Sequence, residues 1–106
     1  MNQDRIHKLR EYLKETPDDP FLLYALAEEY KNNDPSKARD YYLKLLAKNP
    51  DYLPTYYQAA SLFYQMGNTQ KAKALFEKGM QLAEAQNETH TYKELNQAYN
   101  ELLDEE

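Results

Sequence analysis

Apolar residues recur along this chain at steps of three and four, separated by short polar clusters. Ile6, Leu9 and Leu13 form one such stripe. Leu23, Leu26, Ala27 and Tyr30 form a second, and Tyr56, Ala59, Ala60 and Phe63 another. That period places each set on one face of an α-helix. The pattern predicts six amphipathic helices over about residues 3–15, 20–32, 35–48, 54–66, 69–85 and 89–104. Pro20 and Pro35 follow Asp19 and Asp34, which reads as a capping side chain with proline in the first turn. Pro54 opens a further helix, and Gly67-Asn68 predicts a turn with a left-handed residue.

The stripes repeat. LYALAEEY (23–30) and YYQAASLF (56–63) share one spacing at a shift of 33 residues. Ala38 with Tyr42 matches Ala72 with Phe76 at a shift of 34. The single-residue difference falls in the turns NND (32–34) and QMGN (65–68), where an insertion leaves packing undisturbed. RIHKLREYLKETP (5–17) sets Leu9 eight residues before Pro17, as Tyr42 stands eight before Pro50. It reads as a second half-unit. YKELNQAY (92–99) repeats the first-half spacing through Tyr92, Leu95, Asn96 and Tyr99. The shift from Phe63 to Tyr99 is 36, which predicts about two extra residues in the loop around Gln86–Thr89.

Small residues at fixed places let paired helices cross closely, here Ala27 against Ala38 and Ala60 against Ala72. Asn96 breaks that rule, as a terminal capping helix allows. The last helix is expected to bury Tyr92, Leu95, Tyr99 and Leu102, with Glu94, Gln97 and Glu101 outward. The first is expected to bury Ile6, Leu9 and Leu13, with Arg5, Lys8 and Glu15 outward.

In combined register these positions resemble the tetratricopeptide repeat, a helix–turn–helix unit of about 34 residues. Leu23, Leu26-Ala27, Tyr30, Ala38, Tyr42 and Pro50 carry the first copy, and Tyr56, Ala59-Ala60, Phe63, Ala72 and Phe76 the second. Glu84 stands where the second copy calls for proline, so the fifth helix is expected to run past the usual stop. The layout is similar to small bacterial proteins of this class. The resemblance implies an all-α, right-handed α-solenoid of helix-turn-helix repeats with about six antiparallel helices. It divides a single domain, 1–106, into a half-repeat helix (1–19), repeat 1 (20–52), repeat 2 (53–86) and a capping helix (87–106).

Composition agrees with helix: there is no Val, and Ile occurs once in 106 residues. Eighteen acidic and 13 basic residues give a net charge of −5, which points away from nucleic acid and anionic membranes. The lysines Lys37, Lys44, Lys48, Lys71, Lys73 and Lys78, interrupted by Asp40 and Glu77, read as a solvated face rather than an RNA-binding stripe. The charged start has no apolar stretch of a signal peptide, and no run reaches the ~20 apolar residues of a membrane span. A cytoplasmic protein is expected.

Catalytic chemistry finds little support. There is no cysteine, and His7 and His90 each lack a second histidine at ligand spacing, so no metal site is expected. Asp18-Asp19 and Glu28-Glu29 read as caps and solvated faces rather than acid–base pairs. Two isolated glycines make no phosphate loop. Ser36 and Ser61 have no histidine nearby in sequence. Neither an enzyme nor a cofactor is expected.

The chain carries 11 tyrosines. By the resemblance, the first helix of each repeat lines a concave groove, and its groove-facing positions are Tyr24, Glu28 and Lys31 in the first unit. They are Tyr57, Ser61 and Tyr64 in the second and Lys93, Gln97 and Asn100 in the third, with Phe21 at the edge. The equivalent Tyr24 and Tyr57 are expected to be neighbours. The lysines and asparagines with which some members clamp a terminal carboxylate are replaced here by Tyr24, Tyr57, Glu28 and Ser61. Two readings of the tyrosines stand at this level: rings that pack between repeats, or rings that hold a partner. The resemblance implies a scaffold that binds a peptide or helix of a partner protein. The alternative is a structural, self-associating module joined through its terminal helices. A monomer or weak homo-oligomer is expected.

Overall fold

The computed structural model describes residues 2–106. Six helices follow in order among them: α1 (Gln3–Glu15), α2 (Pro20–Tyr30), α3 (Pro35–Lys48), α4 (Pro54–Gln65), α5 (Thr69–Ala85) and α6 (Thr89–Asp104). The described residues contain no strand. Two of the expected ends shift inward, α2 stopping at Tyr30 and α4 at Gln65. Past Tyr30, the amides of Asn33 and Asp34 both return to the Tyr30 carbonyl, which closes a turn and ends the helix.

The start signals act as their chemistry dictates. Asp19, Asp34 and Asn68 each accept the backbone N–H three residues on, through side-chain oxygens 3.1, 3.2 and 3.1 Å away. Asn2 does the same for Arg5 at 3.0 Å. Each bond satisfies one of the orphan donors of a first turn. Glu88, at the head of α6, makes no side-chain cap.

The chain divides into two compact units, Met1–Thr55 and Tyr56–Glu106. In the first, α2 packs against α3 and α1 against α2. The repeat positions Leu23, Leu26, Ala27, Ala38 and Tyr42 are completely buried and Tyr30 nearly so. Ile6 and Leu9 of α1 are buried, while Leu13 is only half covered, one turn from the helix end. An ion pair of 2.7 Å joins Arg5 to Glu29, and the Asn49 side chain donates to the Asp18 carbonyl at 2.9 Å.

In the second unit, Tyr56, Ala59, Ala60, Phe63, Ala72 and Phe76 are buried as the repeat requires. Gly79 deepens the contact between α4 and α5. A Cβ built there lies 2.7 Å from the Cβ of Tyr56 and 3.2 Å from Leu95 Cδ1. The helices therefore meet at a distance that only glycine permits.

The turns of this unit correct one expectation. Gly67, at φ 86°, closes α4 with bonds from Gly67 N–H to the Tyr64 carbonyl and from Asn68 N–H to the Phe63 carbonyl. Asn87, at φ 59°, closes α5 in the same way, with Asn87 N–H to Glu84 and Glu88 N–H to Ala83. These are two copies of one left-handed helix stop. The loop around Gln86–Thr89 is therefore not expanded. The extra length sits inside α5, which has 17 residues against 14 in α3. Glu84 lets the helix continue where a proline would have ended it.

The last helix corrects a second expectation. Leu95 and Leu102 are buried, but Tyr92 and Tyr99 are only half covered. Tyr99 donates its hydroxyl to Glu77 on α5, so its polar tip sits at the rim.

Candidate functional site

In the second unit, α4 offers Tyr57, Ser61 and Tyr64 at helical intervals of four and three, which aligns them on one face. Opposite stand Glu101, Leu102 and Glu105 at the end of α6, and Phe76 of α5 lies between the two sides. Together with Gln65 and Ala98 they line a cleft of about 190 Å³. The Tyr57 ring is 38% exposed and meets Phe76 edge-on, with centroids 6.2 Å apart and planes at 85°. Phe76 also touches Tyr99, at 6.4 Å between centroids. The three sequence-derived residues of this unit thus share one concavity. Phe76, Glu101 and Glu105 were not foreseen as part of it.

The charge of the cleft is one-sided. Its only charged lining residues are Glu101 and Glu105. Tyr64 donates its hydroxyl to Glu105, and that carboxylate raises the Tyr64 phenol above its ordinary range. Glu101 accepts from the Gln97 amide at 3.2 Å. Lys73 turns to Glu106 instead, at 2.6 Å. Lys93, Gln97 and Asn100 are exposed on α6, outside the cleft lining.

The residues named in the first unit meet different surroundings. Tyr24 is half buried, its ring 6.5 Å from Tyr42 and 5.9 Å from Tyr52. Glu28 accepts the Tyr42 hydroxyl through one oxygen and lies 3.3 Å from the Lys31 ammonium through the other. Burial first, and then that bond, push the Tyr42 phenol far above its ordinary value. Glu28 therefore ties α2 to α3, with Lys31 paired to it locally. Phe21 is 60% exposed at the start of α2. Nearby on this unit, Tyr30 stacks on Tyr41 at 5.9 Å and 8°, with the Lys37 ammonium 5.0 Å above the Tyr30 ring.

Other hollows exist. One in the second unit, about 450 Å³, runs along Glu77, Met80, Gln81, Glu84 and Tyr92. It has one aromatic wall, whereas the α4–α6 cleft brings rings from α4 and α5 against carboxylates from α6. No group of three or more His, Asp or Glu residues able to hold a metal occurs among the described residues. No described helix is long and apolar enough to cross a membrane.

The scan of protein-family models finds no match. The comparison with curated proteins finds none either. Solved structures do match. A tetratricopeptide repeat domain protein from Salinibacter ruber, solved in solution by NMR, is 31% identical. Its TM-score is 0.76, with 81% of this chain and 88% of that chain covered. A crystal structure of a tetratricopeptide repeat domain protein from the same organism gives 30% identity and a TM-score of 0.78, covering 83% and 99%. The crystal structure of MamA, at 18% identity and a TM-score of 0.68 over 95% of this chain and 66% of that one, shares the fold. The helix pairs, the buried alanines at their repeat positions and the likeness to the Salinibacter domain lead to one assignment: this chain belongs to the tetratricopeptide repeat family.

Proposed function

We propose that the protein is a non-catalytic interaction scaffold that takes a peptide or helix of a partner protein through first-helix residues of its repeats. The observation that carries this reading is the convergence of Tyr57, Ser61 and Tyr64 on one cleft with an aromatic floor. Tyrosine gives wide contact area and a polar tip at small rotational cost, which suits recognition. In the first unit the reading takes Phe21, Tyr24, Glu28 and Lys31 as contact residues in their own right. Lys93 and Gln97 extend it along α6.

Selection from a displayed random-peptide library tests it. Ligands recovered on the native chain should lose about tenfold or more in affinity for Tyr57→Ala/Tyr64→Ala, as contacts at an interface centre do. Both substitutions sit on half-covered or exposed rings, and circular dichroism checks that the variant stays folded. Ligands that bind the folded variant undiminished would sink the assignment.

A further inference from the structure

We propose that the α4–α6 cleft receives an arginine side chain of the partner, so that the segment recognised is a basic peptide. The inference rests on the reading above and gives its partner a chemical class.

Size sets the first bound. A cavity of about 150 Å³ holds benzene, so one of about 190 Å³ has room for a single large side chain and not for a helix. Charge sets the second. Glu101 and Glu105 line the cleft, and the groups that donate to them, the Gln97 amide beside it and the Tyr64 hydroxyl within it, are neutral. Both lie at the C-terminal end of α6, where the helix's own carbonyls add partial negative charge. No basic side chain stands in the last turn of α6 to offset it. Lys73 pairs with Glu106, which is not among the lining residues. Residues 56–106 hold four lysines against eight carboxylates and no arginine, so the surroundings reinforce the sign.

Ring chemistry sets the third. Tyr57 and Tyr64 wall the cleft, and a planar guanidinium can lie against a ring face while its N–H fork meets a carboxylate. An ammonium does only part of this. The cleft therefore favours arginine over lysine and rejects a neutral chain of equal shape.

The probe is a fluorescein-labelled dodecapeptide with arginines four residues apart on an alanine–glutamine frame. Its binding is read by fluorescence anisotropy at low and physiological salt. The expected result is saturable binding that weakens about tenfold or more in Glu101→Gln/Glu105→Gln, the loss of a charge-assisted bond. Glutamine keeps an acceptor for the Tyr64 hydroxyl, and a melting curve confirms the variant's fold. Glu84→Gln/Glu94→Gln removes equal charge away from the cleft and should change affinity little. A citrulline peptide of the same shape should bind at least about tenfold more weakly. Equal binding of the citrulline peptide, or equal loss in the two double variants, overturns the arginine assignment. In either case, loss of binding in Tyr57→Ala would leave the peptide-scaffold reading standing. If neither peptide binds in a manner that depends on Tyr57, the arginine assignment falls, and an empty library selection would take the scaffold reading with it.

Discussion

Tyr42 is a phenol held in the interior of the first unit, donating to Glu28 with the rim of Tyr24 nearby. Its register as a large ring in the second half of a repeat was legible in the sequence. The carboxylate waiting for its hydroxyl was not, because Glu28 belongs to the face assigned to the groove. The pairing has a pH signature. Burial and the Glu28 bond raise the folded pKa above the ordinary 10.0. The unfolded chain then loses this proton first, so the stabilisation is complete below about pH 10 and declines as pH rises beyond it. Tyr41, Tyr64 and Tyr99 shift in the same direction, Tyr41 through burial and the others through bonds to Glu105 and Glu77. Urea midpoints from about pH 8 to 11.5 should fall at the alkaline end. Tyr42→Phe should cost about 1.5–3 kcal/mol at neutral pH, the worth of a hydrogen bond to a charged group. It should also flatten the alkaline fall. A variant with the parent's slope would show that Tyr42 is not the group responsible.

At the scale of elements, helix starts were the most legible feature, since proline after aspartate states both the cap and the first turn. The end of α5 was half legible. Glu84 in place of proline signalled a longer helix, yet the extra residues were assigned to the loop. Only the matched stops at Gly67 and Asn87 show that the turn is unchanged. Gly79 was missed because a glycine within a helical stretch carries no periodic signal. What it does depends on the distance to a neighbouring helix. Gly79→Ala gains about 1 kcal/mol of helix propensity. It also forces a methyl group against Tyr56 Cβ, an atom too near its own backbone to swing away. Overpacking of this kind costs about 1–3 kcal/mol. The net expectation is a lower melting temperature, by up to about 10 °C for a domain of this size. A rise in melting temperature would mean that α4 and α5 separate freely at this point.

At the scale of the whole molecule, the repeat architecture was legible because small and large apolar residues return at intervals of 33 and 34. The candidate site was legible in part. The helical spacing of Tyr57, Ser61 and Tyr64 placed them on one face, but Tyr24, in the same register, meets Tyr42 and Tyr52 and so sits in different surroundings. Glu101 read as part of the solvated face of a capping helix, and Glu105 carried no signal of its own. Which way they turn depends on how α6 ends beside α4. The distribution of charge was also hidden in the total of −5, since residues 1–55 hold nine basic against ten acidic residues, near balance. The central claim, that recognition occurs at the α4–α6 cleft, is tested most directly by ¹H–¹⁵N NMR titration of the folded chain with a library-selected peptide. Shifted amides should cluster from Tyr57 to Gln65 and from Ala98 to Glu105. Shifts gathered instead around Lys71, Lys78 and His90, with those two segments silent, would contradict it.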